Sequence, residues 1–246
     1  VKPLSLLVAL LLTLASCSKG PEADSVMVFA AASLKSTFTE IGAQFEKDHP
    51  GARVEFSFAG SSDLATQLTQ GARADVFAAA DAANMEKVAA AGLLAGDPVN
   101  FASNTLTIAV APGNPKNVKT FRDLTRSGTS VVVCAPQVPC GSATRKAEQA
   151  AGVDLDPVSE ESSVTDVLNK VASGQADAGI VYVTDARGTG TRIAEVPIPE
   201  AADVVNVYPI ATLKDSSQPA LAQEFIDAVT GETGQRVLDE AGFGRP

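Results

Sequence analysis

Two periods of apolar and polar positions alternate along this chain. Short apolar runs bounded by small or turn residues stand at 26–30 (VMVFA), 54–58 (VEFSF) and 75–79 (DVFAA), the pattern of strands with buried faces. Between them Leu34, Phe38, Ile41 and Phe45 recur at helical spacing across 34–47, and a shorter helical pattern covers 64–68. A second series has strand-like runs at 105–111, 130–135, 178–183 and 192–198, and helical patterns at 142–152 and 164–174, the latter closed by Gly174 as a C-cap. A long strand at 204–213 then precedes two helices, 218–231 and 232–243. The fold class is therefore α/β, and the alternation predicts mostly parallel sheets covered by helices. Two such sets joined by extended segments predict two α/β lobes, residues 25–104 and 207–246 forming the first and 105–206 the second. Strands cross between them near Asn104–Val110 and Val207–Ile210, and a ligand cleft lies between the lobes where strands end and helices begin. One large α/β domain is the alternative.

Composition narrows the function. The 246 residues are 45% hydrophobic and 20% charged, enough apolar surface for a real core. A net charge of −10 without basic runs argues against a nucleic-acid partner, which needs clustered Lys and Arg against phosphates. The single histidine, His49, sits in the turn-like KDHPG and reads as a loop residue, so histidine-based zinc or triad chemistry is not expected.

Leu4 to Ala15 form an apolar stretch behind Lys2, too short to span a bilayer and suited to the core of a secretory signal. It ends in Leu14-Ala15-Ser16-Cys17, which resembles the bacterial lipobox. Residues 1–17 thus read as a lipoprotein signal peptide with Cys17 as the lipidation site, and the polar 18–24 as a tether. The expected location is extracytoplasmic, on the outer face of the cytoplasmic membrane, held by acyl chains. Cys134 and Cys140, in VVVCAPQVPCGS, can close a small disulfide ring in such a compartment. The rival reading makes Cys140 a nucleophile at a helix start, with no histidine placed nearby as its base.

Four strand-to-helix junctions carry small residues and hydroxyls: Ser33 after VFAAA, Ser61-Ser62 after FSFAG, Cys140-Gly141-Ser142 after VCAPQVP, and Ser162-Ser163-Val164 before TDVLNKV. Singly, each serine is accounted for as an N-cap contributing about 1 kcal/mol to its helix. Together, such junctions around one cleft would offer unpartnered N–H groups and hydroxyls to an anion, with Ser33 both capping its helix and aiming its donors at the ligand. All these donors are uncharged. A fully ionised oxyanion presents only acceptors, and each charge-assisted bond to it contributes about 1.5–3 kcal/mol.

In order and spacing, VFAAASL, FSFAGSSDLATQLTQGARADVFAAAD, VPCG, SSVTDVL and AGIVYVTDA closely resemble the periplasmic molybdate-binding proteins of ABC importers, over about Val26 to Phe243. The resemblance implies a periplasmic-binding-protein type II fold, a monomer that is a receptor rather than an enzyme, and molybdate or tungstate as ligand without any further cofactor. It implies binding through Ser33 and Ser61 (N–H and hydroxyl), Cys140 and Val164 (N–H) and the Tyr182 hydroxyl, with no direct metal ligand. The ion would pass to a membrane permease. Two departures stand out: Cys140 where relatives often carry alanine, and Gly60 where serine is frequent. Another small oxyanion such as sulfate is the alternative ligand, and a purely structural surface lipoprotein the alternative role.

Overall fold

The computed structural model describes residues 24–246, so the signal segment, Cys17 and all of the tether but Asp24 lie outside the described residues. The chain begins β1 (Asp24–Ala31), α1 (Lys35–Asp48), β2 (Ala52–Ala59), α2 (Ser61–Thr69), β3 (Val76–Ala78), α3 (Ala82–Ala90) and β4 (Val99–Asn104). It continues β5 (Leu106–Val110), β6 (Val131–Cys134), α4 (Pro139–Ala151), β7 (Ser159–Glu161), α5 (Val164–Ala172), β8 (Ala178–Tyr182), α6 (Val183–Gly188) and β9 (Ala194–Pro197). It ends with β10 (Asn206–Thr212), α7 (Pro219–Thr230) and α8 (Glu232–Ala241).

Two five-stranded sheets result, ordered β2-β1-β3-β10-β4 and β7-β6-β8-β5-β9. In the first, β1 runs parallel to β2 and β3, whereas β10 is antiparallel to both β3 and β4. In the second, β6 is parallel to β7 and β8, and β5 is antiparallel to β8 and β9. Each sheet is thus mixed rather than mostly parallel. The antiparallel members, β5 and β10, are the strands by which the chain enters a lobe directly, without the helical crossover that parallel pairing demands. The outward passage is at Thr105, between β4 and β5. The return precedes β10, which lies from its first residue in the first sheet, so the passage falls before Val207–Ile210 rather than within it.

The two cores differ in character. Phe38, Phe45, Phe101, Tyr208 and Phe225 pack under the first sheet with tilted and edge-on rings 5.7–6.3 Å apart. The second core is largely aliphatic, with Ile108, Val132, Val167, Val171 and Ile180 almost wholly removed from water. Each such side chain contributes about 1.5–3 kcal/mol of burial. The stripe Val164, Val167, Leu168 and Val171 is the buried face of α5, so a charge at Val167 would dislodge the helix and its N-terminus together. Asp75 ties the first sheet to α7: its carboxylate accepts from Met27 N–H (2.8 Å), Ser217 N–H (2.8 Å) and Ser216 Oγ (2.7 Å). Burial raises its pKa, but these bonds outweigh burial and leave it below the usual carboxylate range. No helix among the described residues is long and apolar enough to cross a membrane.

Candidate ligand-binding site

The walls of one pocket between the sheets bring together Ser33, Ser61, Cys140, Val164 and Tyr182, the five residues singled out in the sequence. Ala31, Ala32, Gly60, Ala80, Val138 and Pro139 complete the lining of this pocket. No Lys, Arg, Asp or Glu stands among these lining residues.

Each donor is set by its place in an element. Ser61 and Val164 are the first residues of α2 and α5, and Cys140 is the second of α4, behind Pro139. First-turn N–H groups have no carbonyl within their own helix, and each helix contributes the positive end of its dipole. Ser33 lies in a 3-10 turn, Ala32–Leu34, that joins β1 to α1.

The expected capping role fails for most of these serines. The N-cap of α2 is Gly60 and that of α1 is Leu34, both without a side-chain cap; α4 starts from Val138. Only Ser163 caps with its hydroxyl, accepting from Asp166 N–H at 3.3 Å. Ser33 therefore does not cap α1, because the 3-10 turn carries its side chain towards β10, where its Oγ lies 3.1 Å from the Tyr208 hydroxyl. Ser61 Oγ instead accepts from Ala80 N–H at 3.0 Å.

These side bonds orient protons. Asn206 Nδ2 donates to the Tyr182 hydroxyl at 3.0 Å and to the Ala80 carbonyl at 2.9 Å. Asn104 Nδ2 donates to the Tyr208 hydroxyl (3.4 Å), which shares a further hydrogen bond with Ser33 Oγ in which either hydroxyl can be the donor. Ser61 and Tyr182 thus each receive a hydrogen bond from behind, so their own O–H groups are left to donate into the pocket. Burial above all, reinforced by Tyr208 and Asp81, holds the Tyr182 phenol well above its ordinary pKa, so it stays a neutral donor. Burial raises Tyr208 in the same way.

Two features frame the site. Cys134, the last residue of β6, is disulfide-bonded to Cys140, with their Cα atoms 5.7 Å apart. The sulfur of Cys140 is spent in that bond, which removes the nucleophile reading. Below the pocket, just after Tyr182, the Asp185 carboxyl has an Oδ2 sealed from solvent with no partner among the described residues. Burial pushes its pKa up to about 7, although the Tyr182 N–H holds it down in part.

Sequence reasoning did not find Asn206, Tyr208, Asn104 or Ala80. Asn206 leaves a signal, a lone amide within the otherwise apolar VVNVYPI, where a buried polar group requires partners.

A two-lobed α/β chain with uncharged donors around an interlobe pocket has the form of a solute receptor. The profile of the bacterial extracellular solute-binding proteins matches residues 26–244, and the chain belongs to that family. It is 62% identical over 234 residues, 94% of this chain and 90% of the relative, to the molybdate-binding protein ModA of Mycobacterium tuberculosis. Among solved structures, the periplasmic molybdate-binding protein of Azotobacter vinelandii superposes with a TM-score of 0.79 at 24% identity, covering 90% of this chain and 99% of that one. The sulfate-binding protein SubI from Mycobacterium tuberculosis gives a TM-score of 0.77 at 19% identity, covering 89% and 86%. At those identities the two structures speak to the fold alone.

Proposed function

We propose that this chain captures molybdate, and tungstate with it, in the interlobe pocket and hands it to the permease of an ABC importer. The observation that carries this reading is the set of three hydroxyls, those of Ser61 and Tyr182 already receiving a hydrogen bond from behind, beside N–H groups at three helix starts in a pocket lined by no charged side chain. Such a wall only donates. It suits an ion that only accepts, and it penalises a protonated ligand, whose O–H would face another donor. Ser33 and Ser61 give N–H and hydroxyl, Cys140 and Val164 give N–H, and Tyr182 gives its phenol. The high identity to a protein named for molybdate binding supports the choice among oxyanions. A smaller tetrahedron such as sulfate would leave fixed donors unreached, at about 1 kcal/mol or more for each.

The working form is a monomer tethered through lipid on Cys17 at the outer face of the cytoplasmic membrane. The lipobox-like Leu14-Ala15-Ser16-Cys17 supports this, and Cys17→Ala should release the protein from membranes. The test of the ligand is thermal unfolding against molybdate, tungstate, sulfate and phosphate. A ligand of the folded state alone raises the midpoint with occupancy, by about 4 kcal/mol of stabilisation at a thousandfold excess over Kd. Stabilisation by sulfate with molybdate indifferent would overturn the assignment.

A further inference from the structure

Gly60 has φ −59° and ψ 138°, an extended conformation open to any residue, so its backbone does not require glycine. The space around it does. A Cβ at this position would collide with the main-chain carbonyl oxygen of Ser162 and come within 3.7 Å of Val138 Cγ1. Both neighbours belong to the second sheet's half of the chain, whereas Gly60 follows β2 of the first. The obstacle at Ser162 is backbone, which cannot swing aside as a flexible side chain would.

The contact also has a telling position. Gly60 precedes Ser61, which lines the pocket from the first lobe. Ser162 stands two residues before Val164, which lines the pocket from the second. The closest approach of the lobes at this point is thus one residue from one donor and two from the other. Cores and interfaces packed to contact cannot be compressed further, so such a point fixes the separation of whatever flanks it.

The geometry points to Gly60 as the stop of lobe closure: its missing side chain lets the Ser162 carbonyl seat against the backbone and sets the gap between the Ser61 and Val164 donors, and thereby the size of oxyanion they can hold together. Gly60 acts as a positioning residue, through the gap that it sets rather than through a side-chain donor. The inference rests on the oxyanion-receptor reading above.

The experiment compares wild type with Gly60→Ala and Gly60→Ser by calorimetric titration of molybdate, tungstate and sulfate, with thermal unfolding of the ligand-free proteins alongside. Because the conformation of Gly60 suits alanine, both variants should fold, and their ligand-free midpoints should lie within about 2 °C of wild type or above it. Molybdate and tungstate should bind roughly ten- to a hundredfold more weakly, the scale of an overpacked contact. The sulfate-to-molybdate affinity ratio should move as well, since a wider gap serves ions of different radius unequally. Unchanged affinity and unchanged ratio in Gly60→Ala would overturn the stop while leaving the receptor reading intact. A ligand-free midpoint lowered in proportion to the binding loss would also overturn it, in favour of a structural role. If no oxyanion stabilises the wild type, the receptor reading falls and the stop with it.

Discussion

Replacing Tyr182 by Phe removes one oxygen and keeps the ring. The ring is buried and stands edge-on to Tyr208 at 6.0 Å, so its packing survives the change. Two bonds do not. In the loaded protein the pocket loses a neutral O–H aimed at an anion, a loss of about 1.5–3 kcal/mol, which weakens Kd roughly 13- to 160-fold. In the ligand-free protein Asn206 Nδ2 loses the acceptor it now holds at 3.0 Å, and a buried amide hydrogen without a partner costs about 1–3 kcal/mol. For a chain of this size that lowers the unfolding midpoint by about 2–4 °C per kcal/mol. The chain has no tryptophan and only two tyrosines, one of them the residue replaced, so titration calorimetry is preferable to intrinsic fluorescence. Scanning calorimetry then gives the second quantity on the same material. Lowered stability with molybdate affinity within twofold of wild type would refute the argument, because the hydroxyl would then serve Asn206 and not the ligand.

Other perturbations reach different parts of the site. Val164→Pro deletes one N–H at the first position of α5, where proline is tolerated, and Ser163 already has the extended φ −148°, ψ 158° that a following proline requires; molybdate affinity should fall about tenfold or more with α5 retained by circular dichroism. Asp185→Asn tests the buried carboxyl. With its folded pKa near 7 against about 3.9 unfolded, the native state keeps a proton that the unfolded chain releases. Wild-type stability should therefore fall as pH rises from about 4 to 7, by up to about 4 kcal/mol, and the Asn variant should lack that slope; parallel stability profiles for the two proteins would contradict the burial of Asp185. Cys134→Ser with Cys140→Ser opens a short loop and should cost about 2–3 kcal/mol of stability, yet calorimetry should still register binding, since the ligand meets only the Cys140 N–H.

Much of the fold is visible in the periodicity because β-branched and aromatic runs and heptad-like stripes mark strands and helices that bury one face. The elements missed lack that contrast. β4, VNFASN, carries few β-branched residues, and β7 is the three polar residues SEE. The alanine-rich α3 shows no clear apolar stripe and is announced only by its Asp81 cap, which accepts from Asn84 N–H at 3.0 Å. The five site residues were legible through their junctions and the family resemblance, since small residues and hydroxyls at strand ends leave a local trace. Their gathering into one pocket was not legible, nor were the amides behind them. Asn104 and Asn206 face each other across β4 and β10, more than a hundred residues apart in sequence, and that pairing exists only once the sheet is formed.

The position of β10 also governs the order in which the molecule can be assembled. It lies between β3 and β4, so β4 has no neighbour in its own sheet until residues 206–212 have been synthesised and delivered. The intervening segment contains every strand of the other sheet and can complete itself first. A chain emerging from its N-terminus can therefore pair β1 with β2 and β3 and complete the whole of the other sheet while β4 still lacks a neighbour, so the first sheet is the last to close and β4 is the strand left open to proteases for longest.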